Sequence, residues 1–301
     1  MSRGLVPAGL AVLLSCGVLI AQTPAPAPLQ LSRTVYITVT DRDGIPVPDL
    51  SIDDLEIKEG GKLVTVDAAG LASEPMQIDI IVDDNGTGLF RAPLARFVRR
   101  MEGRAVMALR AVVGQTMKVV EFTPSVEAML MGIATLNARP GTPDGGQLLE
   151  GISEAALELH KAEAKRPVII ALTVGGQEHS TVRSDFVLDQ LRKCGAVLHV
   201  FSVANSALRS TMIATAPRDL LQENMHLQRV LGDGPKQTGG RHQQIVASAG
   251  ALQALQNLAA ELTSQYRITY TLPAGAKRSE KLNVSVRRKD LVVRAPARLP
   301  S

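Results

Sequence analysis

Residues 35–50, VYITVTDRDGIPVPDL, alternate apolar and polar side chains into an Asp-Gly turn, the period-two pattern of a half-buried β-strand and loop. LEIKEGGKLVTV then sets two short alternating runs about Gly60 and Gly61, a hairpin signal. Residues 31–70 therefore read as all-β, and roughly 40 residues are too few to be stable without another surface to pack on. From residue 77 the spacing changes. IDIIVD is a fully apolar strand ending in aspartate, and LFRAPLARFVRRM has helical spacing through Phe90, Leu94, Phe97 and Met101. MKVVEF and SVEAMLM read as two more strands joined at Thr123-Pro124. QLLEGISEAALELHKA is an amphipathic helix with Leu148, Ile152, Ala155 and Leu159 on one face, PVIIALTV a buried strand, DFVLDQLRK a helix and AVLHVFSV a strand. RHQQIV, after TGGR, reads as a turn or short strand that Gly239 and Gly240 allow. The last helix is ALQALQNLAAELTSQ, followed by the alternating strands YRITYTL, KLNVSVRR and LVVRA.

Near-continuous apolar strands separated by helices predict a mostly parallel sheet covered on both faces. The alternating strands at the two chain ends are natural partners for each other. The expected fold class is thus α/β, a doubly wound, Rossmann-type three-layer domain over residues 77–264. Beside it stands a small β-domain made by residues 31–70 and 265–301.

The N-terminus changes the picture by suggesting an address. Arg3, an apolar run from Leu5 to Ile20 and then AQTPAPAP describe a secretory signal peptide over residues 1–21, with a Pro/Ala-rich tether at 22–30. An alternative is LLSC at 13–16, a loose lipoprotein box that would make Cys16 a lipidated anchor. The apolar run is short for a membrane span, which needs ~20 residues. The expected location is the periplasm or the exterior. Besides Cys16 only Cys194 remains, so no intrachain disulfide is expected in the mature chain, and Cys194 reads as a buried, inert thiol.

Composition narrows the function classes. A hydrophobic share of 45% supports a sizeable core, while aromatics at 3% and the absence of Trp leave no stacking platform for bases. The net charge of +4 is small, and its one dense cluster, Arg287 to Lys289, reads as a solvated turn, so no nucleic-acid partner is expected.

The order of segments resembles the von Willebrand factor type A domain, and more closely the acidobacterial-type family of exported proteins related to it. The pieces that carry the resemblance are VYITVTDRDGIPVPDLSIDDLEIKEGGK, the strand leading into DDNGT, PVIIALTVGG, TGGR at 238–241 and LAAELTSQYRITYTL…KLNVSVRR. The resemblance implies a binding rather than a catalytic role. It also implies a Mg²⁺ or Ca²⁺ site at the C-terminal ends of the sheet strands, through which a partner's acidic group would be held. On this chain Asp83 falls on the first ligand, Asn85 replaces a serine and Thr87 keeps a hydroxyl. The second loop aligns to DGGQLLEGI and puts Gly146 where threonine belongs. The third, LTVGG, puts Val174 where aspartate belongs. The implied metal site is therefore degenerate, with no resident cofactor expected. Asp84, Thr142, Asp144, Glu178 and His179 are the neighbouring polar residues expected to meet a protein partner.

Other chemistries have thin support. There is no G-x-S-x-G elbow and no H-E-x-x-H pair, GTG at 86–88 is not a full phosphate loop, and the histidines do not form a zinc cluster. His199 reads as a satisfied structural histidine. Three functions stay open: an exported protein-binding module, a structural or assembly protein of the cell envelope, and a hydrolase built on His179.

Overall fold

The structure, a computed structural model, describes residues 31–136, 146–203, 218–246, 248–273 and 275–300. The expected leader, the tether and Cys16 lie outside the described residues, as do Thr142 and Asp144.

Chain entry and exit share one antiparallel sheet. Its strands are β1 (Leu31–Asp41), β2 (Leu55–Glu59), β3 (Lys62–Leu71), β10 (Tyr266–Leu272), β11 (Leu282–Val286) and β12 (Leu291–Arg294), in the order β11-β2-β3-β10-β1-β12. β1 pairs with β10 from Leu31↔Leu272 to Ile37↔Tyr266, so strands far apart in sequence lie side by side. Val35, Ile37, Ile57, Ile268 and Tyr270 form the buried face, the alternate residues of the period-two pattern.

The second sheet contains β4 (Met76–Asp83), β5 (Ala105–Val113), β6 (Gln115–Thr123), β7 (Pro167–Thr173), β8 (Val197–Val203) and β9 (His242–Ile245), in the order β6-β5-β4-β7-β8-β9. All neighbours are parallel except β6, which runs antiparallel to β5. Among the described residues six helices cover it: α1 (Arg91–Arg100), α2 (Val126–Thr135), α3 (Leu148–Lys161), α4 (Ser184–Cys194), α5 (Arg218–Thr238) and α6 (Ser248–Thr263). Side chains of β4 and β7 alternate between two cores. Ile78, Ile80, Val168 and Ile170 pack with α1, α2 and α6, while Ile81, Ile169 and Ala171 pack with α3, α4 and α5. This is the three-layer α/β arrangement expected from the apolar strands. Among the described residues, no helix is long and apolar enough to cross a membrane.

Three elements differ from the sequence reading. SVEAMLM is not a strand but the start of α2. The Ser125 hydroxyl accepts the Ala128 N–H at 3.1 Å, an N-cap, and the Glu, Ala, Met and Leu that follow are good helix formers. AVMALRAVV is a central strand, β5, whose pattern is interrupted by Arg110. That guanidinium is buried against Asp79 of β4 at 2.9 Å and reaches Glu154 of α3 at 3.1 Å. The long helix α5 lies where the sequence reading assigns no element, and it contains Gly232, Gly234 and Pro235, residues that usually break helices. At Gly240, just beyond it, an added Cβ would lie 1.9 Å from the Leu198 carbonyl oxygen, so close approach rather than flexibility requires glycine there.

One tie between the two sheets is a junction at Arg166. The chain crosses between them twice, through residues 72–75 and 264–265, and the buried Arg166 bonds to both crossings. Its Nη1 donates to the Glu74 carbonyl at 2.7 Å, and its Nη2 donates to the Leu262 carbonyl at 3.0 Å and to Gln265 Oε1 at 2.9 Å. Its guanidinium carbon lies 5.1 Å from the centre of the Tyr36 ring on β1.

For the corrected helix the expected outcome is concrete. Ser125→Ala lowers stability by about 1 kcal/mol in urea unfolding, the usual loss for an exposed N-cap, whereas a strand here would barely respond.

Candidate functional site

The parallel register fixes the site. Asp83 at the end of β4 pairs with Thr173 at the end of β7, and the ladder continues as the Val174 N–H donates to the Asp83 carbonyl at 2.9 Å. The Thr173 hydroxyl donates to Asp83 Oδ2 at 2.6 Å and accepts the Gly175 N–H at 2.9 Å. Burial pushes the Asp83 carboxyl up to about 6; the Thr173 bond opposes this and the neighbouring Asp84 adds to it.

After Asp83 the chain reverses. Asn85 and Gly86 both take positive φ, 49° and 72°, and the Thr87 N–H donates to the Asp84 carbonyl at 3.0 Å. Two left-handed central residues closed by that bond make a type I′-like turn, for which Asn-Gly is the favoured pair. The Asp84 carboxylate holds the turn from inside, accepting the Gly86 N–H at 3.1 Å and the Gly88 N–H at 2.9 Å. Asn85 and Thr87 are left exposed at the C-terminal edge of the sheet.

Gly146 arrives beside Asp83 from the second loop. Its N–H donates to the Gln177 carbonyl at 3.0 Å, its carbonyl accepts the His179 N–H at 2.9 Å, and α3 begins two residues later. Glu178 lies beneath, where its Oε1 accepts the Leu149 N–H at 3.1 Å and the Ser180 hydroxyl. The Ser180 Oγ accepts the Glu150 N–H at 3.3 Å. Glu178 and Ser180 thus serve the open backbone donors at the start of α3. Burial pushes the Glu178 carboxyl up to about 8; Ser180 and the Leu149 N–H lower it, and Asp83 and Glu150 raise it.

Sequence alignment brought Asp83, Gly146 and Val174 together, and the fold places them side by side. Asp84 and Glu178, read as facing a partner, are instead turned inward at 5% and 2% exposure. His179 is half-buried beside them. Thr173 and Ser180 were missed. A lone hydroxyl at the end of an otherwise apolar strand was the available signal for Thr173. His199, expected to be satisfied, is buried on β8 with no partner on either ring nitrogen among the described residues, and burial together with Arg241 and Arg294 keeps it neutral. Two serine–histidine bonds lie elsewhere: Ser184 to His226 at 3.0 Å joins α4 to α5, and Ser202 to His242 at 2.8 Å joins β8 to β9.

A hard divalent ion wants about six oxygens. Here one oxygen of Asp83 is bonded to Thr173, Gly146 has no side chain and Val174 packs its isopropyl group against the core. A Cβ on Gly146 would sit 3.7 Å from Asp83 Oδ1 but only 2.5 Å from Val112 Cγ1, so the ligand position is sterically filled. Among the described residues no group of three or more His, Cys, Asp or Glu is placed to hold a metal. The described donor set does not fit the ion that the resemblance implies.

No protein-family model matches the chain, and no curated protein matches it. Solved structures similar to it include proximal thread matrix protein 1 from the mussel byssus with a zinc-occupied MIDAS motif, at 14% identity and TM-score 0.46, covering 70% of this chain and 50% of that one. Another is the vWF domain of a type V pili tip protein from Porphyromonas gingivalis, at 9% identity and TM-score 0.43, covering 62% and 95%. A third is the manganese-loaded TRAP protein of Plasmodium vivax, at 10% identity and TM-score 0.42, covering 76% and 96%. The chain spans about half the length of the mussel protein, 49% to 50% across its three structures.

Two outcomes follow from the geometry. Gly146→Thr lowers stability by roughly 1–3 kcal/mol through overpacking against Val112, and Gly146→Thr/Val112→Ala is less destabilised than the two single losses together. Glu178 stays protonated in the fold to about pH 8, against its ordinary 4.5, so its contribution is complete below 4.5 and fades as pH rises through 8. Melting temperatures measured from pH 6 to 9 therefore fall more steeply for the native chain than for Glu178→Gln.

Proposed function

We propose that this chain is an exported, non-enzymatic protein-binding module of von Willebrand factor A type, taking its partner by direct polar contact rather than through a cation. The observation that supports this reading is the turn after β4. Asp84 is spent on holding it rigid, and the exposed Asn85 and Thr87 project from it. The turn stands at the C-terminal edge of the parallel sheet, where open α/β sheets take ligands. An amide and a hydroxyl offer both donors and acceptors, and a turn ordered before binding has little entropy left to lose. The leader-like pattern of Arg3, the apolar run and the small residues before Ala21 supports export.

The test is capture from an envelope extract by the immobilised full chain, with and without a chelator. The same partner is recovered in both conditions, and Asn85→Ala/Thr87→Ala lowers its recovery by about fivefold, the loss of roughly one net hydrogen bond. Capture abolished by the chelator would restore the bridging cation. Equal recovery by the native chain and the variant would favour the envelope-assembly reading.

A further inference from the structure

At the opposite end of the parallel sheet, where β7 and β8 begin, a cavity of about 210 Å³ lies between the two sheets. One wall is β1, through Val35 and Tyr36. Another is the C-terminal half of α4, through Leu188 and Leu191, and the chain's last residues close a third at Leu299. The body of the cavity is apolar. Its charged lining is of one sign: Lys165, Arg166, Arg192 and Arg298 reach it, and among the described residues no aspartate or glutamate lines it.

These cations are not equivalent. Arg192 is paired with Asp189 and with Glu280 at 3.3 Å, and Arg298 lies 3.7 Å from Glu280. Arg166 is 5% exposed and forms no ion pair among the described residues. Its bonds go to two carbonyls and an amide oxygen, and its buried Nε–H has no partner among the described residues. Glu74 offers it a partial counter-charge, but that carboxylate is itself bonded to Arg267 at 3.1 Å. A buried guanidinium held only by neutral acceptors is costly, and an anion reaching it would offset that cost.

We propose that this cavity binds a small organic anion: a carboxylate on a short branched apolar body. The head meets Arg166, and the body lies against Val35, Leu188, Leu191 and Leu299. The volume is below the roughly 300–1,000 Å³ of drug-sized sites, which limits the body to a few carbons. A free acid and the C-terminal residue of a polypeptide share this chemistry. The site is separate from the turn after β4, and its occupancy does not depend on the function proposed there.

The test is calorimetric titration of the full chain with 4-methylpentanoate, 4-methylpentanol and inorganic phosphate. The acid binds at least tenfold tighter than the alcohol or phosphate and raises the melting temperature. Equal binding of acid and alcohol, equal binding of acid and phosphate, or no binding by any probe would each overturn the proposal. Arg166→Met removes acid binding. Because Arg166 also ties the sheets together, Leu188→Phe is the second variant. It fills the apolar end while keeping every cation, and it weakens the acid at least tenfold with an unchanged circular dichroism spectrum; unchanged affinity in that variant would overturn the proposal. An acetylated tripeptide ending in leucine, as free acid and as amide, identifies the source. Binding of the tripeptide acid but not its amide assigns a polypeptide C-terminus, whereas binding of 4-methylpentanoate alone assigns a free acid, and either result supports the anion site.

Discussion

Arg166 sits where the chain passes from one sheet to the other, and the rest of the architecture hangs on what it joins. The antiparallel sheet is made from both chain ends, and β1 meets β10 where the intervening α/β layer returns the chain at Gln265. A guanidinium that bonds to Glu74 on the way out and to Leu262 and Gln265 on the way back fixes both crossings at once. The Ala72 N–H adds a direct link, donating to the Gln265 carbonyl at 2.8 Å. Planar, multiply donating and always charged, arginine suits such a junction better than lysine would. Neutral acceptors complete its geometry but not its charge, which is why the same residue draws attention to the cavity beside it.

The other end of the parallel sheet obeys a different constraint. Asp83, Gly146 and Val174 come from three loops, and parallel pairing of β4 with β7 brings them within reach of one another. Once there, each position is occupied by something other than a ligand set. Thr173 binds the aspartate, Val112 fills the space beside the glycine and Val174 belongs to the core. Glu178 serves the start of α3 and remains protonated near neutral pH. These acids are held by hydroxyls and backbone N–H groups, so the described part of the edge is a settled hydrogen-bonded structure from which the exposed Asn85 and Thr87 project.

Much of this was legible in the chain. Apolar runs such as IDIIVD and PVIIALTV announce buried parallel strands because both their faces are covered, and alternation in YRITYTL announces a sheet with one face covered. The errors have local causes. The Met- and Leu-rich SVEAMLM carries no strong period over seven residues, and its helix is declared by the Ser125 cap. β5 was hidden because a buried arginine breaks the apolar run, and its partner Asp79 stands on another strand. No element was assigned to α5, whose Gly234 and Pro235 usually end helices, whereas here Gly234 gives room to Leu198.

The sequence by itself determined the layer architecture and the pairing of the chain ends, because periodicity and residue type act locally, while the three loops at the sheet edge were implied by the resemblance alone. Only the tertiary structure decided what those loops are made of. That Asp83 is hydrogen-bonded to Thr173, that Val112 blocks Gly146, that Asp84 and Glu178 face inward and that Arg166 forms no ion pair among the described residues all depend on distances between residues far apart in sequence. Such distances are set by strand register and packing, and no spacing along the chain encodes them directly.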